Sequence, residues 1–274
     1  MGKQGHGMRI NKYRGQSVTL ATTLGFAQLT GIPSWANYLT VEAPSATLET
    51  ITMGLGPPIR AAYFFDASLT EGARYRDLTK ELTDKNTATG SVTFLNSMQT
   101  DDFIYVGTPR RHRGIGIDVT NTNSTVSTMT AENSNGSGGF TALTITDGTQ
   151  TGGNTTLGAD GVVSHTVPLN WAAIQLDLGS GIRSEKLFWT RYAVSVALDT
   201  TVSIVEVVAA ANFTVNSLET DAEGYAGILI RSNNDAKRLY EFWIAPGEFG
   251  SIDLVSSAIT SAALVNCFQV EDKD

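Results

Sequence analysis

From Ser91 onward the chain reads as a succession of short segments with alternating polar and apolar residues, each closed by a turn cluster. SVTFLNS, DFIYVGT, GIGIDVT, STMTAEN, FTALTIT, VVSHTVP, KLFWTRYAVSVAL and TVSIVEVVAAANFTV follow one another. NSNGSGG (133–139), TDGTQTGGNTTLGADG (146–161) and LGSG (178–181) separate some of them. Period-two alternation between Gly- and Asn-rich turns is the signature of half-buried strands, and many short strands in series imply a sandwich or a jelly roll. Composition agrees: charged residues are only 17% of the 274, and Thr, Ser, Asn and Gly take their place. The expected fold class is therefore mainly β, a jelly-roll-like antiparallel sandwich. With one cysteine, Cys267, an internal disulfide is impossible, so packing and hydrogen bonds must hold the fold.

The flanks differ from this body. Residues 1–45 carry six glycines up to Gly31, then Pro33 and Pro44, and read as an extended N-terminal arm. Lys3, Arg9, Lys12 and Arg14 lie in this arm, and residues 1–41 hold no acid. The rest of the chain has 15 basic and 27 acidic residues, since four of the 19 basic residues are in the arm. A basic arm on an acidic body suits docking on an acidic neighbour. Residues 46–211 are expected to form the sandwich domain. Within them, 70–85 is ambiguous: Tyr75, Leu78 and Leu82 have helical spacing, while Thr79, Thr83 and Gly72 weaken a helix. PLNWAAI (168–174) reads as a short helical turn. Residues 212–274 restart the strand rhythm with GYAGILIRS, RLYEFWIAP and SAALVNCFQV, and are expected to form a small C-terminal β module. No apolar run approaches the roughly 20 residues that a membrane-crossing helix needs, and no membrane partner is expected.

The catalytic motifs are weak. Asp101 and Asp102 are adjacent, which suits a turn better than a carboxylate pair across a substrate. Asp118, Glu132 and Asp147 lie on or beside different strands. His112 and His165 are isolated, and neither G-x-S-x-G nor a P-loop occurs. Asp147 and Asp160 flank a Gly-rich loop that lacks the regular spacing of a calcium loop. No enzyme activity, cofactor or metal is expected. Trp171, Trp189 and Trp243 sit inside apolar runs and read as core anchors rather than sugar platforms. PRRHRG (109–114) is the sharpest charge feature, and Arg110, Arg111 and Arg113 are candidates for a protein contact. The acidic body disfavours nucleic acid.

Residues 101–200 carry a longer ordered pattern: DDFIYVGTP, GIGIDV, NTNSTVSTMTAEN, NGSGGFTAL, TDGTQTGG, LGADG, PLNW and LFWTRYAVSVAL. This pattern resembles a domain that recurs in structural proteins of tailed-phage virions. The resemblance departs at Asn133, where that family usually has an aromatic, and keeps the aromatic at Phe140. It implies a jelly-roll-like sandwich carried on a virion, with no catalytic residue. The resulting expectation is an oligomeric decoration or cement protein, located on the capsid surface or head–tail region. It would bind the major capsid protein or other virion proteins through Lys3, Arg9, Lys12 and Arg14, with Arg110, Arg111 and Arg113 as secondary contacts. A neck or tail adaptor and a receptor- or glycan-binding module remain open alternatives.

Overall fold

A computed structural model describes residues 8–22, 25–43, 49–84, 95, 98–211, 228–232, 238–256 and 262–272. The chain opens with β1 (Met8–Thr19), β2 (Leu29–Gly31), β3 (Tyr38–Ala43) and β4 (Glu49–Gly56). The middle holds β5 (Ala61–Phe65), β6 (Tyr75–Asp77), the short helix α1 (Thr79–Thr83), β7 (Phe103–Thr108), β8 (Gly114–Asn121), β9 (Met129–Ser134) and β10 (Phe140–Leu143). It continues with β11 (Ile145–Asp147), β12 (Gly161–His165), β13 (Ala173–Ile174), β14 (Asp177–Gly179), β15 (Ile182–Arg183), β16 (Leu187–Val194) and β17 (Ser203–Ala209). The chain closes with β18 (Ile228–Ser232), β19 (Arg238–Trp243), β20 (Ser251–Ser256) and β21 (Ala262–Asp272).

The middle segment builds one pair of antiparallel sheets, β10-β9-β16-β7-β5-β6 and β11-β12-β8-β17. Between them lies an apolar core to which Phe64, Ile104, Val106 and Tyr192 contribute from the larger sheet and Ile115, Ile117, Val163 and Ile204 from the smaller. This is the sandwich that the alternating pattern requires. PLNWAAI turns only over its first four residues, where the Trp171 N–H donates to the Pro168 carbonyl at 3.4 Å; Trp171 then bridges to Asn135, and β13 pairs with β16. The ambiguous stretch 70–85 splits into β6 and α1, with Leu78 and Leu82 buried in the core.

The two flanks, read above as an arm and a separate module, are halves of one further unit. Strands from both ends interleave in the sheets β1-β21-β3-β19 and β18-β4-β20-β2. Their core joins Leu39, Val41, Ile51 and Met53 from the start of the chain to Ile252, Leu254, Val265 and Cys267 from its end. The boundary at residue 46 is thus displaced, because β4 pairs with β18 and β20 rather than with the middle sheets. Arg9, Lys12 and Arg14 do not lie on a free arm. They sit in β1, which runs antiparallel to β21 from Met8↔Asp272 to Thr19↔Ala262, with an irregularity between Ile10 and Lys12. The pattern hid this strand because most of its side chains are exposed, with Val18 its buried anchor. Backbone hydrogen bonds and Tyr13, whose hydroxyl donates to Asn266 Oδ1 at 2.9 Å, tie it down.

Removing residues 1–15 should therefore do more than remove a tether. It would strip most of β1 from β21 and leave a new unpaired edge. The truncated protein is expected to lose stability to urea and to aggregate on concentration. An unchanged urea midpoint and a monodisperse profile in size-exclusion chromatography would show that β1 contributes nothing to the fold.

Candidate functional site

The arginine cluster lies where the two units meet. Arg110 stacks over Phe249 at 4.8 Å and donates to the Glu248 carbonyl at 3.4 Å. Arg111 lies 5.6 Å from the Phe188 ring. Arg113 pairs with Asp253 at 3.5 Å. Asp253 is fully buried, and its carboxylate also accepts the Ala211 N–H at 2.7 Å. Leu29, Val162, Val208 and Ala210 form a small apolar seam at the same joint. Gly56 permits the close approach: a Cβ there would collide with the Ser251 hydroxyl and the Ala209 carbonyl. Of the three arginines expected to meet a partner, Arg110 and Arg113 thus reach across to the terminal unit, while Arg111 packs on Phe188 of its own unit.

Burial dominates the electrostatics here. It pushes Asp253 up to about 6 in spite of the neighbouring Arg113. His112, 0% exposed, receives the Gly114 N–H on Nδ1 at 3.2 Å and packs edge-on against Trp171 at 4.9 Å. Its ring centroid is 5.6 Å from that of His165. Burial, and after it the charge of His165, holds His112 well below the ordinary imidazole range. Burial also lowers His165.

The remaining sequence candidates have local roles. Asp102 accepts the N–H groups of Ala67 and Gln99 at 2.9 and 2.8 Å, which is the turn expected of the acidic pair. Asp118, Glu132 and Asp147 sit on β8, β9 and β11, with Glu132 on the opposite sheet from the other two. Asp147 accepts from the backbone and hydroxyl of Thr149, and Asp160 accepts the Val119 N–H at 2.8 Å. Burial pushes the Cys267 thiol up to about 11, so it is a poor nucleophile. Among the described residues no three His, Cys, Asp or Glu side chains gather to hold a metal ion.

Two aromatic faces stand out instead. On the terminal unit, the register aligns Tyr13, Phe268, Tyr38 and Trp243 across all four strands of one sheet. Successive ring centroids are 5.2, 5.8 and 4.8 Å apart. Tyr13 is 59% and Trp243 61% exposed, so the stripe faces outward while Leu39 and Cys267 line the core beneath. A hydrogen bond with Glu241 pushes the Tyr38 hydroxyl up to about 12. β1 borders this face, and among the described residues only β21 pairs with it, so one side of its backbone is a sheet edge. Arg9 and Lys12 are exposed on it, and Lys12 lies 5.8 Å from the Trp35 ring. Lys3 lies outside the described residues. Sequence reading correctly buried Trp171 and Trp189 but missed the exposure of Trp243, because EFWIA looks the same on an edge strand as on a central one.

The second face covers the outside of the larger middle sheet. Tyr63, Phe65, Phe103 and Tyr105 project from neighbouring strands β5 and β7, with Phe140 and Tyr75 beside them. The Arg191 guanidinium lies between Phe103 and Phe140, 4.3 and 4.4 Å from their rings, and is bonded to Glu132. The spacing of aromatics at 63/65 and 103/105 was a legible sign that one strand face is aromatic.

Two measurements test the joint. Arg113→Met should cost about 3–5 kcal/mol at neutral pH by leaving a buried carboxylate uncompensated. That cost should shrink as pH falls through about 6, where Asp253 takes up a proton; urea titrations at several pH values would read it, and a pH-independent loss would contradict the pairing. The histidines act in the opposite direction. Their folded values are depressed, so their contribution is full above the ordinary value of about 6.5 and is lost as pH falls below it. Relative to a His112→Phe/His165→Phe variant, the natural protein should lose stability on acidification, by up to about 1.4 kcal/mol per pH unit for each imidazole. Parallel stability curves for the two proteins would rule this out.

Comparison with known proteins gives no match to any family, curated protein or solved structure.

Proposed function

We propose that the chain is a non-enzymatic structural protein of a tailed-phage virion, a decoration or cement protein that binds the major capsid protein. The observation that carries this reading is the outward aromatic stripe Tyr13–Phe268–Tyr38–Trp243 beside the basic edge strand β1. Large rings held in place by their neighbours lose little freedom on binding, and exposed Trp and Tyr are frequent energetic anchors of protein interfaces. The unpaired edge of β1 offers main-chain groups for strand addition, and Arg9 and Lys12 add charge for an acidic surface. Such contacts are individually modest. On a symmetric shell a linked or oligomeric ligand multiplies them. The resemblance of residues 101–200 to the virion domain supports the same reading, and a jelly-roll connection of the middle strands belongs to the proposal. In this reading β1 and the sheet face replace the free arm, and Arg110, Arg111 and Arg113 drop out of the binding surface.

A neck or tail adaptor is the second reading, because the same domain resemblance extends to those parts of a virion. Quantitative mass spectrometry of intact particles, with low-resolution electron microscopy, separates the two. A copy number comparable with that of the shell subunit, and density on the head, is expected. In addition, Trp243→Ser should lower the occupancy of empty heads by the purified protein while leaving its fold intact. A few copies at the neck or tail would replace the decoration reading with the adaptor, and absence from particles would overturn both.

A further inference from the structure

At one margin of the second aromatic face the sheet surface dips into a shallow, open cleft of about 200 Å³. Phe65, Tyr75 and Leu178, all half-buried, line it, and the exposed Glu71, Arg74 and Asp177 surround them. The two rings are 5.0 Å apart at 58° and are braced by Tyr63, Phe103 and Tyr105. Two turns from distant parts of the chain form the walls. Gly72 has φ 89° and Gly179 φ 87°, and a Cβ on Gly179 would lie 2.9 Å from the Gly72 nitrogen. The turns meet closely, the Gly179 backbone against that of Gly72 with the Ser180 hydroxyl and the Glu71 side chain beside them, so both walls are built from contacts within the chain.

The chemistry selects a class of ligand. Half-buried aromatic rings offer a flat apolar surface to the C–H face of a sugar. Around them stand acceptors and donors in balance. Asp177 receives the Gly179 N–H at 3.0 Å and lies 3.9 Å from Arg183, in a pair whose side chains are 60% and 65% exposed, and so weakly held. Arg74 donates its Nε–H to the Leu69 carbonyl at 2.8 Å, and its guanidinium lies 5.8 Å from the Phe65 ring. A cation would meet that guanidinium over the ring it needs, and a polyanion would meet Glu71 and Asp177. Neutral hydroxyls, which both donate and accept, match the rim. We infer that the cleft between β6 and the β14–β15 turn binds one pyranose unit of a neutral polysaccharide, stacked on Tyr75, with Phe65 and Leu178 as side walls, and hydrogen-bonded by Glu71, Arg74 and Asp177.

This inference does not depend on where a virion would carry the chain. Saturation-transfer NMR on the full chain with maltohexaose and chitohexaose, and with dextran sulfate as an anionic polymer, tests it. Transfer to at least one neutral oligosaccharide is expected at millimolar concentration. Tyr75→Ala should weaken it about tenfold, and Leu239→Ala, exposed on the other unit, should leave it unchanged. Should Tyr75→Ala fail to fold, Asp177→Ala on the exposed turn carries the test, with a loss of several-fold expected. No transfer to either neutral oligosaccharide, transfer to dextran sulfate alone, or binding indifferent to both Tyr75→Ala and Asp177→Ala would overturn the inference.

Discussion

The antiparallel pairing of β1 with β21 closes the chain on itself, and the terminal unit that carries the rest of the molecule follows from it. With Met8 opposite Asp272 and Thr19 opposite Ala262, the two ends of the sequence form neighbouring strands. Neither end could bury its apolar residues alone. Leu39 and Val41 need Val265 and Cys267 beside them and Ile252 and Leu254 across the core. The terminal unit therefore exists only when the most distant parts of the sequence have met, and forming it carries a large loop-closure cost. The middle unit has no such dependence, because its core is drawn from residues 62–207.

This difference explains what could be read in the sequence. Strands such as GIGIDVT and LFWTRYAV alternate between a core and an outer face, so their positions were legible. β1 was not, because an edge strand whose side chains are mostly exposed has no alternation to show, and its glycines and basic residues imitate a tail. The C-terminal strands were legible as strands. Their partners were not, since local pattern carries no information about which distant segment completes a sheet. The contacts of the PRRHRG arginines were not legible for a related reason: charge in a loop looks alike whether the loop meets solvent, a partner or another part of the chain. Only the placement of Asp253 and Phe249 decides that Arg113 and Arg110 face inward.

The joint is built from groups that tolerate little change. A buried carboxylate and a guanidinium pair across the seam, and beside Arg113 the ring of His112 packs against His165 and Trp171, whose polar atoms are met by backbone groups. Such a seam specifies one arrangement of the two units more than it adds stability. The two aromatic faces contrast with it. Their rings are braced by one another, and they leave Trp243, Tyr13 and the Phe65–Tyr75 cleft open to solvent.

Gly56 lies against Ala209, so the chain leaves the terminal unit and comes back to it at almost the same point. The two connections of the stretch from Ala61 to Ala209 thus lie side by side, next to the contacts of Arg110 with Phe249 and of Arg113 with Asp253. A cassette of this kind can be lengthened, shortened or exchanged for another while the scaffold that carries it stays the same, provided the scaffold keeps Gly56 and the replacement brings a counter-charge for Asp253. Natural exchange of that sort would give related proteins a common base with unlike heads, and would let the base and the head change at different rates.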